Sequence, residues 1–538
     1  MSFTKKHDPK SSRFSYLRHF AKEKFQETCT VAIGYSEDLS EATDQEIKIF
    51  LTSKEQKSNK HFAARVFSYV SHRRQNKTVF GSKVGIKSHF QLMFLMLNGS
   101  LCLSIVLTLF SAAPSYAKDW YVSPKGSDSQ SGTIGSPFLT ITRATWVAKP
   151  GDTIMLRGGT YLLKSSQRID SSGSLGLPIT VQSYPGEWAI LNAQYLASGT
   201  DAFSVNQQYI NLRNFEIANS RKHGLSIWGG KHIVVSGLTV RGSQRSGIFM
   251  GHSNPWTVND VKVEKSTIFN NGLSNSTQSL SGWSAALGCN SCTNIMFENN
   301  TVYKNYGEGL NFNQVKGGII RSNKAFDNFS VNLYLDRASR VIVERNFLYT
   351  TEDSKFFRYG KSAAQIQIAN EDYNNYSTDL TITGNILFGG ITGLRYSNWG
   401  AGGGLRNTLF ANNTIYARYG SAEYLINIDQ DWGHSGTRIA NNIFHYTGGG
   451  WGIVRFFDNS GISWDHNCWY GGSAGTAASN TDISGNPMLV NPGSSNIDDY
   501  RLTVSSPCRK TGDTILAASI DFAGIARTIP YDMGAYAY

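Results

Sequence analysis

From about residue 209 onward, apolar and polar residues alternate in runs of about five, which is the period of half-buried strands. Three kinds of run recur: Val341-Ile-Val-Glu-Arg before a polar residue, Phe347-Leu-Tyr after it, and Gly309-Leu-Asn-Phe-Asn beyond a variable loop. The polar residue and its apolar triplet recur at Asn214, Gly237, Ser266, Asn300, Asn323, Asn346, Asn385, Asn413, Asn442 and Asn467. The successive gaps are 23, 29, 34, 23, 23, 39, 28, 29 and 25 residues. A floor of 23 with variable insertions is the mark of a solenoid, a fixed coil with loops on one side. Three short strands per coil exclude an α-solenoid. They predict an all-β, right-handed parallel β-helix (solenoid), each strand pairing with its equivalent one coil on, about 4.8 Å away. Asn suits the tight turn because it tolerates the left-handed conformation. Stacked Asn side chains also hydrogen-bond as a ladder, so these residues read as structural.

Open ends of such a coil expose apolar core and strand edge, so caps are expected. Thr140-Ile-Thr-Arg-Ala-Thr-Trp-Val-Ala148 reads as an N-terminal capping helix, and Thr153-Ile-Met-Leu as the first strand after it. The resulting organisation is an N-terminal cap with first coils over 118–208, repeats over 209–485 and a C-terminal cap over 486–538.

Composition agrees and narrows the function. Charged residues are 17% and aromatic residues 12% of the 538. That excludes a disordered chain and a coiled coil. The net charge of +12 is uneven: residues 1–87 carry 17 Lys+Arg against 9 Asp+Glu, and 118–538 carry 34 against 30. The repeats therefore present a weak field without a basic stripe, and nucleic acid is not an expected partner.

Phe90 to Phe110 is a stretch of 21 residues without charge, preceded by Lys83 and Lys87 and followed by Ser-Ala-Ala-Pro-Ser-Tyr-Ala117. A basic flank, an apolar run and small residues at the exit predict a signal peptide over 87–117, cleaved before Lys118. The alternative is an uncleaved membrane anchor. Residues 1–86 show no clear periodicity. They are either upstream of the true start, with Val79 or Val84 as the initiator, or a cytoplasmic extension. The expected location is extracellular or in the cell envelope, with membrane contact only if the segment stays uncleaved. Four cysteines remain in the mature chain, an even number suited to an oxidising compartment. They allow three pairings. Cys468–Cys508 is the favoured one, a clasp near the C-terminus, and Cys289-Asn-Ser-Cys292 lacks the second pair a zinc site needs.

Trp120-Tyr-Val-Ser-Pro-Lys-Gly-Ser-Asp, Ser136-Pro-Phe-Leu-Thr-Ile, Pro150-Gly-Asp-Thr-Ile and Gly158-Gly-Thr-Tyr resemble the N-terminal part of secreted right-handed parallel β-helix proteins of the pectate-lyase-like superfamily. Asp521-Phe-Ala-Gly-Ile-Ala-Arg and Tyr531-Asp-Met-Gly-Ala-Tyr resemble the endings of such proteins. The resemblance covers roughly 118–538. It implies a groove along the strand that follows the variable loop. Alternation then places Leu225, Ile227, Leu310, Phe312, Leu333, Leu335, Ile366, Ile368, Leu394, Ile426 and Ile428 inside.

The outward set contains the substrate-binding candidates Trp228, Asn311, Asn313, Asn332, Gln365, Gln367 and Asn427. Amides bond sugar hydroxyls, and rings stack on sugar faces. An extracellular polysaccharide is the expected partner, and the protein is expected to be a monomer. The leading expectation is a lyase that cleaves a uronate polymer by β-elimination. The alternatives are a glycoside hydrolase or uronan epimerase on the same fold, or a non-catalytic carbohydrate-binding or adhesive β-helix. The catalytic candidates are Glu308, Tyr334, Asp336, Lys361 and Arg395. Lys361 or Arg395 abstracts the proton or pairs with the uronate, and Tyr334 stacks or donates a proton. Asp336, Asp429 and Asp431 would hold Ca²⁺ if any is used. The tight Asp clusters of the calcium-dependent pectate lyases and the Asp-Asp and Gly-His-Gly motifs of the polygalacturonases are missing.

Overall fold

A computed structural model describes residues 117–538, except 279–281, 373–375, 399–402, 419–422, 429–431 and 448–452, together with the backbone of four strands nearer the N-terminus. The chain divides into two units, Met1–Thr108 and Leu109–Tyr538. In the first, Ser15–Tyr16, Cys29–Tyr35, Glu46–Ser53 and Phe67–Val70 form an antiparallel sheet in chain order, where the sequence shows no clear periodicity. The expected export segment lies outside the described residues, apart from Ala117.

The second unit is a right-handed parallel β-helix of three sheets with 13, 11 and 13 strands. Every third strand pairs in parallel with its equivalent one coil on, as in the series Leu310↔Leu333↔Ile366↔Leu394↔Ile426. That series lies in the 11-stranded sheet. Its inward residues, from Leu225 to Ile428, are at most 2% exposed, as the alternation predicts.

The expected Asn ladder is present. The side-chain amide of Asn300 donates to Asn323 Oδ1 at 3.0 Å, Asn323 to Asn346 at 3.0 Å, and Asn346 to Asn385 at 2.9 Å. The ladder continues through Asn413 and Asn442 to Asn467. Its conformational reason differs from expectation. The left-handed residue is the one before each ladder position: Asn299 (φ 54°), Ser322 (φ 54°), Arg345 (φ 54°), Asn412 (φ 53°) and Asn441 (φ 58°). That residue turns the chain, and the next one aims its amide into the stack. Asn214 (φ 55°) and Gly237 (φ 67°) belong to this preceding position. The ladder positions in their coils are filled by the buried apolar Phe215 and Leu238.

The capping helix runs Ile141–Val147, with Thr140 as N-cap accepting from the Arg143 N–H. It buries Ile141, Ala144 and Thr145. At the other end Ala474 and Ala477, in and beside the turn Gly475–Ala477, are buried in the main core. Residues 486–538 do something other than cap that end. Leu489, Tyr500, Leu502, Met533 and Tyr536 form a second core with Phe347, Tyr349, Ile386, Phe388, Tyr416 and Ile443, on the outer face of a 13-stranded sheet. The C-terminal segment is thus a strap laid back over the coils. Its apolar residues are needed because that sheet face is aromatic rather than polar. Cys468 and Cys508 join strap to coil with Cα atoms 6.3 Å apart, and Cys289 and Cys292 form a second, local disulfide.

Candidate functional site

The outward face of the 11-stranded sheet carries two parallel rows. Register fixes one as Ser226, Phe249, Gly288, Asn311, Tyr334, Gln367, Arg395 and Asn427. The other contains Trp228, Gly251, Asn290, Asn313 and Asp336. The variable loops empty onto this face, so it combines a rigid floor with adjustable walls.

Three carboxyl groups meet in the central coils. Glu308 stands at the end of the loop before Leu310–Asn313. Its Oε2 accepts from the Asn311 amide at 2.5 Å and its Oε1 from the Trp283 indole N–H at 3.3 Å. Burial of the carboxyl pushes its pKa up to about 7. Nearby Glu371 and Asp336 add to the rise, and the two hydrogen bonds oppose it. Tyr334 Oη donates to Glu371 Oε1 at 2.5 Å, and burial followed by the Glu371 charge drives the phenol pKa upward. Asp336, fully buried, is raised to about 6 by that burial against the pull of Arg337. Its Oδ1 accepts the Glu371 N–H at 3.1 Å, which ties the loop carrying Glu371 to the sheet. Glu371 itself is exposed. The group therefore contains a carboxyl neutral below about pH 7, a phenol that keeps its proton and an accessible second carboxyl. These are the parts of acid–base chemistry.

Several predicted residues fall elsewhere. Asn332 and Gln365 are inside the turn, 1% and 0% exposed, and are not substrate ligands. They end a second amide ladder, from Asn271 through Asn305 and Asn328 to Asn332 and Gln365, which the sequence reading missed. Its spacing of 34, 23, 4 and 33 residues hides it. Lys361 lies on the surface with Nζ 2.5 Å from Glu423, and no hydrogen bond or ion pair joins it to the carboxyl cluster among the described residues. Arg395 sits beside Gln367, two strands from Tyr334. Asn427 follows it and Asn313 precedes Asp336, all on the outward face. Trp283 was not anticipated. It comes from the insertion of the 34-residue unit, and only its loop position signals it.

Asp336 does not fit the calcium role. Arg337 Nε donates to its Oδ2 at 2.7 Å and the Glu371 N–H occupies Oδ1, so a guanidinium already fills the cation position. Asp429 and Asp431 lie outside the described residues. Away from the site, Asp465, His466 and Asp513 bring ligand atoms within 4.8 Å of one another.

Residues 120–330 match the family described as the Pel9A-like, right handed beta helix region. Over that stretch the chain is similar to the pectate-lyase-like β-helix proteins. The match includes Glu308 and Asn311 but ends before Tyr334, Asp336 and Glu371, so it carries the scaffold further than the chemistry. Over 86 residues the chain is 44% identical to pectate lyase PEL9 of Emericella nidulans, 16% of this chain and 21% of that one. The chain thus spans about a fifth of that relative's length in the match. An uncharacterized Bacillus subtilis protein, YwoF, is 23% identical over 369 residues, 60% of this chain and 74% of that one. A solved structure of XylC with xylose superposes with a TM-score of 0.55 at 12% identity, over 78% of this chain and 98% of that one, which is likeness of fold.

Proposed function

We propose that the protein is a polysaccharide-cleaving enzyme working at Glu308, Tyr334 and Glu371, and that it cleaves a uronate-containing polymer by β-elimination. The observation that carries the enzyme reading is the half-buried Glu308 carboxyl, raised to about 7 at an outward sheet face beside a second, accessible carboxyl. The lyase reading is supported by the identity shared with a pectate lyase over 86 residues. In this mechanism Glu371 takes the proton alpha to the uronate. The C4–C5 double bond forms as the C4–O bond breaks, and Glu308 gives its proton to the leaving oxygen. Gln367 and Arg395 meet the uronate carboxylate, and Asp336 positions Glu371. Export rests on the apolar segment and on two disulfides, which favour an oxidising compartment.

A second reading, hydrolysis, is favoured by the grouping of three carboxyls while Lys361 and Arg337 are engaged by Glu423 and Asp336. One experiment separates them: a polysaccharide panel read both for unsaturated uronate absorbance and for new reducing ends, with and without chelator. Both signals together mean a lyase, and reducing ends alone mean a hydrolase. Neither signal on any polymer overturns the enzyme reading.

A further inference from the structure

Resting on that reading, we propose that Trp228 is the platform of a distal sugar subsite, so that the substrate lies along the helix axis and long chains are preferred over short ones. Trp228 is 46% exposed although it points from a sheet whose other central outward residues are mostly buried. Its indole is braced rather than loose: Phe249 lies 6.2 Å away and His252 5.5 Å away, with His223 stacked beneath Phe249 at 4.8 Å. The bracing needs Gly229, in the left-handed region at φ 83°, where a Cβ would come within 3.1 Å of the His252 ring. A braced, half-exposed indole presents a fixed apolar face, which is what the C–H face of a pyranose stacks on.

Register connects this platform to the carboxyl cluster. Trp228, Gly251, Asn290, Asn313 and Asp336 occupy one row on successive strands. Four steps at about 4.8 Å place the platform about 19 Å from Asp336. Gly251 contributes no side chain to that row, and the Phe249 ring lies over it, with a Cβ position 3.0 Å from that ring. Next come Asn290, exposed, and Asn313, whose Oδ1 accepts from Arg337 at 3.0 Å. Their amides suit hydroxyls. The wall beside Asn290 is the loop bearing Trp256, whose N–H donates to Ser291 O, and Lys316 Nζ stands 3.4 Å from the centroid of the Trp256 ring. A cation there suits an acidic polymer. The lane thus runs from stacked ring through amides to the reacting carboxyls.

The test uses Trp228→Ala and Trp228→Phe in the full chain, with polygalacturonate as the first probe and alginate and xylan as the others. Retardation in polymer-containing native gels is read beside turnover on polymer and on dimers and trimers. The side chain is exposed, so unchanged circular dichroism is expected for both variants. The expected result is a KM on polymer raised about tenfold by Trp228→Ala, with kcat kept, Trp228→Phe intermediate and short oligomers unaffected. Glu308→Gln should lower turnover by about 10²–10⁴-fold and keep retardation. If no polymer is cleaved but Trp228→Ala still removes retardation, the subsite stands and the catalytic reading falls. Equal KM and equal retardation in wild type and Trp228→Ala, or retardation by none of the three polymers, overturns the subsite.

Discussion

Tyr334 Oη donates its hydrogen bond to Glu371 Oε1 at 2.5 Å, joining a strand residue to a loop residue 37 positions later. The same loop is held from below, because Asp336, two residues on from Tyr334, accepts the Glu371 N–H. Strand Val331–Asp336 therefore fixes both the main chain and the side chain of the one exposed carboxyl in the cluster.

Tyr334→Phe removes the upper bond and leaves the ring packing in place. Glu371 is exposed and can be hydrated, so the stability cost should be about 1 kcal/mol or less. Turnover should fall about 10- to 100-fold, because the carboxyl loses its fixed direction. Urea unfolding and kcat on the active polymer check the two parts separately. A large loss of stability with unchanged kcat would make Tyr334 a packing residue.

The two raised carboxyls set a pH window. Glu308 must be protonated to donate and does so below about pH 7, whereas Asp336 is ionised above about pH 6 and then pairs fully with Arg337. A bell-shaped kcat profile with limbs near these values is expected, as apparent values of a coupled group. Glu308→Gln should remove the alkaline limb and lower kcat by about 10²–10⁴-fold. The stability sign follows from the same shift. The folded pKa lies above the unfolded one, so this contribution is fully present below about 4.5 and is lost as pH rises through about 7. The variant should lose that part of the slope, seen in melting temperatures between pH 4 and 8.

The coil architecture was readable because period-two alternation and the Asn spacing are local signals that repeat. Each of Leu310, Leu333 and Ile366 is inward for the same reason. The site was readable only in part. Asn311, Tyr334, Asp336 and Gln367 come together because they stand on three successive strands of one sheet, and Glu308 joins them from the loop that enters the first. Lys361 does not, since its loop closes through a bridge between Arg358 and Lys361 and ends on Glu423, a partner 62 residues away that no pattern announces. Asn332 and Gln365 follow the same alternation as true outward residues. Only the folded turn shows that their amides complete a ladder instead.

That ladder logic can be tested at Asn346 in the first stack. Its amide donates to Ile320 O and Asn385 Oδ1, its N–H also donates to Asn385 Oδ1, and its own Oδ1 accepts from Asn323 twice. Asn346→Ala leaves buried donors and acceptors of both neighbouring coils unpaired. The cost should be about 2–4 kcal/mol, since each unsatisfied buried group costs about 1–3 kcal/mol. Asn346→Ser, which imitates the natural Ser266 at the equivalent position, should recover part of it. Denaturant midpoints are the readout, and equal midpoints for wild type and Asn346→Ala would reduce the ladder to a passive spacer.

The strap offers a prediction that joins stability to the coils behind the site. Cys468 and Cys508 close a separation of 40 residues, and a loop of that size corresponds to about 4 kcal/mol of lost unfolded-state entropy. Tyr500, between the two bridged cysteines in sequence, is 1% exposed and packs against Phe347, Phe388 and Tyr416 with ring centroids 5.9, 6.2 and 6.5 Å away. The bridge therefore holds a strap that covers aromatic rings two to four coils upstream. Cys468→Ser combined with Cys508→Ser should lower the unfolding free energy by about 2–4 kcal/mol. Amide exchange should rise in residues 486–538 and in the strands around Phe347 and Tyr416, while the strands around Leu225 and Leu310 stay protected. Exchange that rises evenly along the helix would mean that strap and coils unfold as one unit, and that the clasp acts globally rather than on the strap.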